Sequence, residues 1–97
     1  MIEDLKEAFA AIPEDEFLEF KRVKAPFSFR PDLCAFIILD KLAPSDRDII
    51  GGAEHDEIWL DVDLEKLSAA ATEDDILTLV RCGVRWDDDC DGLAMFV

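Results

Sequence analysis

Tyrosine is absent from this 97-residue chain, glycine and proline number four each, and histidine occurs once. Each shortage excludes something. Scarce glycine and proline, with 51% hydrophobic residues, exclude a collagen-like or disordered chain and leave a globular domain with a core. A lone histidine, His55, must serve every histidine-based scheme and cannot complete a multi-histidine metal shell. The three cysteines, Cys34, Cys82 and Cys90, are odd in number and form no CxxC pair, which argues against a disulfide framework or a zinc knuckle. Cys34 and Cys82 fall in apolar helical patterns and read as buried thiols, whereas Cys90 sits in an acidic turn that disfavours its thiolate. The longest apolar run, Leu33–Leu39, is far short of the ~20 residues of a membrane span. Without the basic and apolar regions of a secretory signal at its start, the chain is expected in the cytoplasm of its host cell.

Bases are also few. Twenty-four acids against ten bases leave a net charge of −14. Residues 54–97 hold thirteen acids and three bases, and residues 1–53 hold eleven and seven. Four of those seven, Lys21, Arg22, Lys24 and Arg30, lie in the acid-free stretch 21–30. The expected molecule is polarised, with a negative body and one basic strip.

Residues 1–97 are expected to form one acidic α+β domain: a small antiparallel sheet packed against three to four short helices. Ile2, Leu5, Phe9 and Ile12 recur at helical spacing before Pro13, giving a first amphipathic helix. The following segment reads either as a strand over 18–24 or as a short helix over 14–19. Asp32 is placed to cap a buried helix through Leu42 that stops before Pro44. Ile49-Ile50 forms a short strand and Gly51-Gly52 a turn or bulge. The central strand covers 57–62, where Ile58, Leu60 and Val62 alternate with Glu57, Trp59 and Asp61. Asp63 caps a helix over Leu64–Ala70, and Thr72 caps another that ends at Arg81 with Gly83 just beyond. Residues 84–97 form a hairpin around the turn Asp87–Gly92.

Several constellations invite chemistry and then fall short. Asp87-Asp88-Asp89-Cys90-Asp91-Gly92 matches the opening of an EF-hand loop and makes Asp87, Asp89 and Asp91 weak metal candidates. The bidentate Glu due at loop position 12 is missing, and the flanks read as strands, so an acidic hairpin turn is the simpler reading. Glu54-His55-Asp56-Glu57 reads as a solvated loop entering the central strand. Ser28, Ser45 and Ser68 lack a nucleophile-elbow context, and Gly51-Gly52 lacks the Lys-Ser/Thr ending of a phosphate loop. The expectation is therefore a binding protein and not an enzyme, with no catalytic residues, no cofactor and no resident metal.

What remains is the acidity, which exceeds the magnitude of roughly 2–8 that keeps a small domain soluble. Asp61, Asp63 and Glu65, then Glu73, Asp74 and Asp75, then Asp87, Asp88, Asp89 and Asp91 are the candidate contact groups for a basic protein surface, with Trp59 or Trp86 as an aromatic anchor. Carboxylates at strand and helix spacings can stand where arginines meet successive phosphates, so the partner expected is a nucleic-acid-binding protein; direct nucleic-acid binding and membrane binding are not expected. In size and charge the chain resembles the small acidic inhibitors, some of them DNA mimics, that phages and mobile elements make against CRISPR or restriction nucleases. It equally resembles the acidic immunity proteins and antitoxins that neutralise basic nuclease toxins. The alternative is a structural or assembly subunit of a phage particle or larger complex, docking through Phe27–Phe29, its acidity serving solubility.

Overall fold

The computed structural model describes residues 2–96. Their element order is α1 (Leu5–Ala10), α2 (Pro31–Leu42), β1 (Ile50–Glu54), β2 (Glu57–Leu60), α3 (Leu64–Ala70), α4 (Glu73–Arg81), β3 (Val84–Asp87) and β4 (Gly92–Phe96). This is a small α+β fold. Two antiparallel hairpins, β1–β2 and β3–β4, join through β2 and β4 into one sheet of order β1-β2-β4-β3.

The alternation read in 57–62 sets the two faces of the sheet. Ile58 lies opposite Met95, Leu60 opposite Leu93, Val84 opposite Met95 and Trp86 opposite Leu93, so these side chains share one face. That face meets the helices: Leu5 and Phe9 of α1, Cys34, Ile38 and Leu39 of α2, Leu67 of α3, and Ile76, Leu79 and Val80 of α4 complete the core. Trp86 packs near Phe9 with the rings tilted at 43° and their centroids 6.5 Å apart. The other face carries Trp59, Ala94, Arg85, Glu57 and Phe96. Its polar groups pair largely within the face: Trp59 donates its indole N–H to Asp87 Oδ2 at 3.0 Å, Arg85 pairs with Glu57, and the Arg85 guanidinium stands 4.6 Å over the Phe96 ring, with Arg85 Nε left without a partner among the described residues.

Helix ends follow local chemistry. Asp63 Oδ1 accepts from the N–H groups of Glu65 and Lys66 to start α3, and Thr72 with Asp75 forms a reciprocal capping box on α4. Asp4 does the same for α1, accepting from Glu7 N–H. Gly51 is a bulge: the ladder steps from Ile50↔Leu60 to Gly52↔Trp59 with Gly51 unpaired.

Four local expectations are corrected. The central strand stops at Leu60, because Asp61 pairs its N–H with Ile49 outside the ladder and the chain turns toward α3. The glycine pair and residues 53–54 extend β1 beyond Ile49-Ile50, since the bulge keeps the strand paired. Asp32 does not cap α2: the helix begins at Pro31, whose missing N–H suits the first helical position, and Asp32 Oδ1 accepts from Leu33 N–H inside the first turn. Residues 18–24 form no strand; the short helix read over 14–19 is present in part, as a 3-10 turn at Glu14–Glu16, and a second 3-10 turn follows at Phe20–Arg22.

Those turns are held by side chains. Glu16 receives both Arg81 Nη2 at 3.2 Å and Arg22 Nη1 at 2.6 Å, and Arg81 also donates to the Arg22 carbonyl. The Arg81 and Arg22 hydrogen bonds hold the Glu16 carboxyl below its ordinary value of 4.5. A depressed folded-state value means the contribution to stability is present above 4.5 and is lost as pH falls below it. Glu16→Gln is expected to lower Tm at pH 7, and the gap to wild type should shrink as pH falls below 4.5; a gap unchanged down to pH 3 in thermal melts would contradict the clasp. At Gly83, φ is +101° and an added Cβ would stand 2.7 Å from Leu18 Cδ2. Gly83→Ala should therefore destabilise the fold by about 1–3 kcal/mol in urea titration, where an effect under about 0.5 kcal/mol would contradict it.

Candidate functional site

Antiparallel register builds the site. Because Leu60 faces Leu93, the exit of β2 and the entry of β4 lie at one end of the sheet, so Asp61 and Asp91 line one cleft with Trp59 between. Leu64 and Asp91 also line a larger groove of about 730 Å³ between the chain start and α3. Its floor is apolar, from Leu5, Leu64, Ala69 and Trp86, and its rim carries Glu3, Asp4, Glu65 and Asp91. Ile2 holds that rim in place through its N–H to the Ser68 carbonyl at 2.7 Å and its own carbonyl to the Ser68 hydroxyl. A third groove, about 680 Å³, shares Ile2, Glu3 and Asp4 with the second and continues to Glu7 and Glu73.

Three adjoining depressions thus form one band with seven carboxylates: Asp61, Asp91, Glu65, Glu3, Asp4, Glu7 and Glu73. One base lines it, Lys6, and its ammonium pairs with Asp88 at 2.8 Å. The Asp88 hydrogen bond and charge raise the Lys6 pKa and keep it protonated. With a screening length of about 8 Å at physiological salt and a body of 32 × 29 × 24 Å, the local run of carboxylates matters more to a partner than the net charge.

Of the acids singled out in the sequence, Asp61, Glu65, Glu73 and Asp91 line this band. Others have local partners. Asp63 and Asp75 cap helices, and Asp61 itself lies 3.7 Å from Arg47. Asp87 lies buried against the sheet, with Oδ2 accepting from Trp59 and Oδ1 from Asp89 N–H at 3.0 Å. The Trp59 and Asp89 hydrogen bonds pull its carboxyl below the usual carboxylate value. Asp74 and Asp89 are exposed and line none of the three grooves. Glu3, Asp4 and Glu7 are not among the acids the sequence singles out; they join the band because the chain start lies beside α3 and the start of α4, which no local pattern states.

No group of three or more His, Cys, Asp or Glu side chains among the described residues is arranged to hold a metal ion. Within Asp87–Asp91 the Asp87 carboxylate is shared between the Trp59 indole N–H and the Asp89 backbone N–H. His55 sits exposed at the tip of the β1–β2 turn with positive φ, and its nearest charged partner is Glu54 at 3.8 Å. Trp59 and Trp86 are both half-buried, on opposite faces of the sheet, and only Trp86 reaches the main groove, its indole nitrogen buried without a partner among the described residues.

The cysteines are graded by burial. Cys34 and Cys82 are fully buried side by side, and burial first, then Cys34, pushes the Cys82 thiol up to about 12. Cys90 is exposed, its thiol also raised, by partial burial and then by Asp87. No protein-family model, curated protein or solved structure matches the chain. Iodoacetamide on the native protein is expected to add one label, slowly, at Cys90, and three after unfolding. Rapid native labelling of Cys34 or Cys82, read by peptide mass, would contradict the packing between α2 and α4.

Proposed function

We propose that this protein is a small acidic binding protein, and that its acid-lined band occupies the basic groove of a nucleic-acid-binding protein as a mimic of the nucleic acid. The observation that carries the reading is the continuity of the band. Seven carboxylates border three adjoining depressions, and the single base among them is already paired. Such a run offers arginines and lysines a sequence of charged acceptors, as a phosphate backbone does. Steering by this field makes association fast and sensitive to salt. An inhibitor of a CRISPR or restriction nuclease, or an antidote to a basic nuclease toxin, fits this chemistry, and the host cytoplasm is the compartment where such a partner would be met. The apolar floor adds what charge alone lacks: a place for an aliphatic or aromatic side chain at the centre of the contact.

A second reading, an assembly subunit whose acidity serves solubility, is favoured by a different observation, the outward-facing Phe27 and Phe29. The two readings separate by mutation. Immobilised protein, challenged with host lysate and eluted with a salt gradient, is expected to retain a basic nucleic-acid-binding protein that leaves only at high salt. Glu3→Lys with Glu65→Lys and Glu73→Lys should abolish that capture, and soluble wild-type protein should block nucleic-acid binding by the captured partner. Capture unaffected by the triple substitution, or a partner that binds its nucleic acid equally well with the protein present, would contradict the mimic.

A further inference from the structure

The molecule carries a second surface of opposite character. Leu18, Phe27, Phe29 and Leu33 are among the few large apolar side chains that stand in solvent, and all fall within residues 18–33. Phe29 is 94% exposed. Lys21, Arg22, Lys24 and Arg30 share the stretch; Lys21 and Arg22 pair with Glu19 and Glu16, which leaves Lys24 and Arg30 to the strip, and Lys41 from the last turn of α2 places its ammonium 4.4 Å over the Phe27 ring. An exposed apolar strip flanked by bases is the complement, in charge and polarity, of an apolar-floored groove rimmed by acids. The start of the strip and the acid band lie at opposite ends of α4. Leu18 N–H donates to the Val80 carbonyl and Arg81 to the Arg22 carbonyl at its C-terminal end, whereas Glu73 of the acid band begins the helix.

We propose that a second copy of this chain is the occupant: the Phe27–Arg30 segment of one molecule docks in the groove between the chain start and α3 of the next. Phe29 enters over Leu5, Leu64 and Trp86, in a groove of about 730 Å³, and Lys24 and Arg30 meet the rim carboxylates of Glu3 and Glu65. Because donor and acceptor surfaces differ, the contact is head-to-tail and leaves one of each free, so association extends beyond a dimer. The opposing force is whole-body repulsion between copies of net charge −14. At physiological salt the screening length of about 8 Å is well under the 24 Å shortest dimension, so distant charges are silenced while the docked residues remain in contact. The inference stands on the groove and the strip and does not need the proposed nucleic-acid-binding partner.

Sedimentation velocity at about 0.15 M salt, from ~10 µM to ~1 mM protein, tests it. The wild-type average mass is expected to rise more than twofold across the series, and Phe29→Ala should hold it at the monomer. Lys24→Glu with Arg30→Glu removes the donor surface, and Glu3→Lys with Glu65→Lys removes the acceptor. All four side chains are exposed, so circular dichroism should show both variants folded. Each variant alone should be monomeric, yet an equimolar mixture should associate again, since one strip and one groove stay intact and the reversed strip matches the reversed groove in charge. A wild-type monomer at every concentration would overturn the proposal and leave the strip to a foreign partner. Self-association of the groove variant alone would overturn it too, because it would mean strip against strip.

Discussion

The acid-lined face depends on one pairing, that of β2 with β4. These strands belong to different hairpins and meet in the middle of the sheet with Ile58 opposite Met95 and Leu60 opposite Leu93. Their register decides both the core and the site. It aligns the apolar side chains under the helices, and it puts Asp61, which leaves β2, beside Asp91, which enters β4. A slip of one residue would turn Leu93 and Met95 away from the helices, and a slip of two would carry Asp91 about 7 Å along the strand. The buried face therefore fixes the geometry of the charged one.

So many carboxylates on one side should repel one another, and the placement of helix ends relieves that strain. The grooves bring together the beginnings of α1, α3 and α4. Each beginning presents unpaired N–H groups and the positive end of a helix dipole, the environment in which acids are stabilised. Asp4 and Asp63 accept such N–H groups directly, and Asp75 accepts the N–H of the cap residue Thr72. Glu3, Glu65 and Glu73 stand beside them, exposed. Acids that build the helices and acids exposed along the grooves thus share one region for one electrostatic reason. At the far end of α4 the pattern reverses, where Arg81 and Arg22 close on Glu16 and the basic strip begins.

Sequence patterns conveyed the elements better than their meeting points. The alternation around Trp59, the caps Asp63 and Thr72, and Gly83 at positive φ were all legible because each is a local rule about neighbours. Residues 14–24 were legible only in part, since their 3-10 turns answer to Glu16 and Arg81, 65 residues apart. The site divided along the same line. Asp61, Glu65, Glu73 and Asp91 stood out as charge runs, but a run does not tell which of its members turn inward. Asp87 reads like its neighbours in the string of aspartates, yet it accepts the indole N–H of Trp59, 28 residues away. Glu3, Asp4 and Glu7 looked like the ordinary polar side of an amphipathic helix, and only the tie between Ile2 and Ser68 makes them the rim of a groove.

The central claim is that the acids act as one face. The most direct measurement is an NMR titration of the isotope-labelled protein with a short arginine-rich peptide, following backbone amide shifts. The account predicts that the shifts concentrate at residues 2–7, 61–65, 72–73 and 91, and that they fade together as salt is raised. Shifts spread evenly over the exposed acids, with Glu14, Asp46 and Asp48 responding as strongly as Glu3 and Glu65, would contradict it.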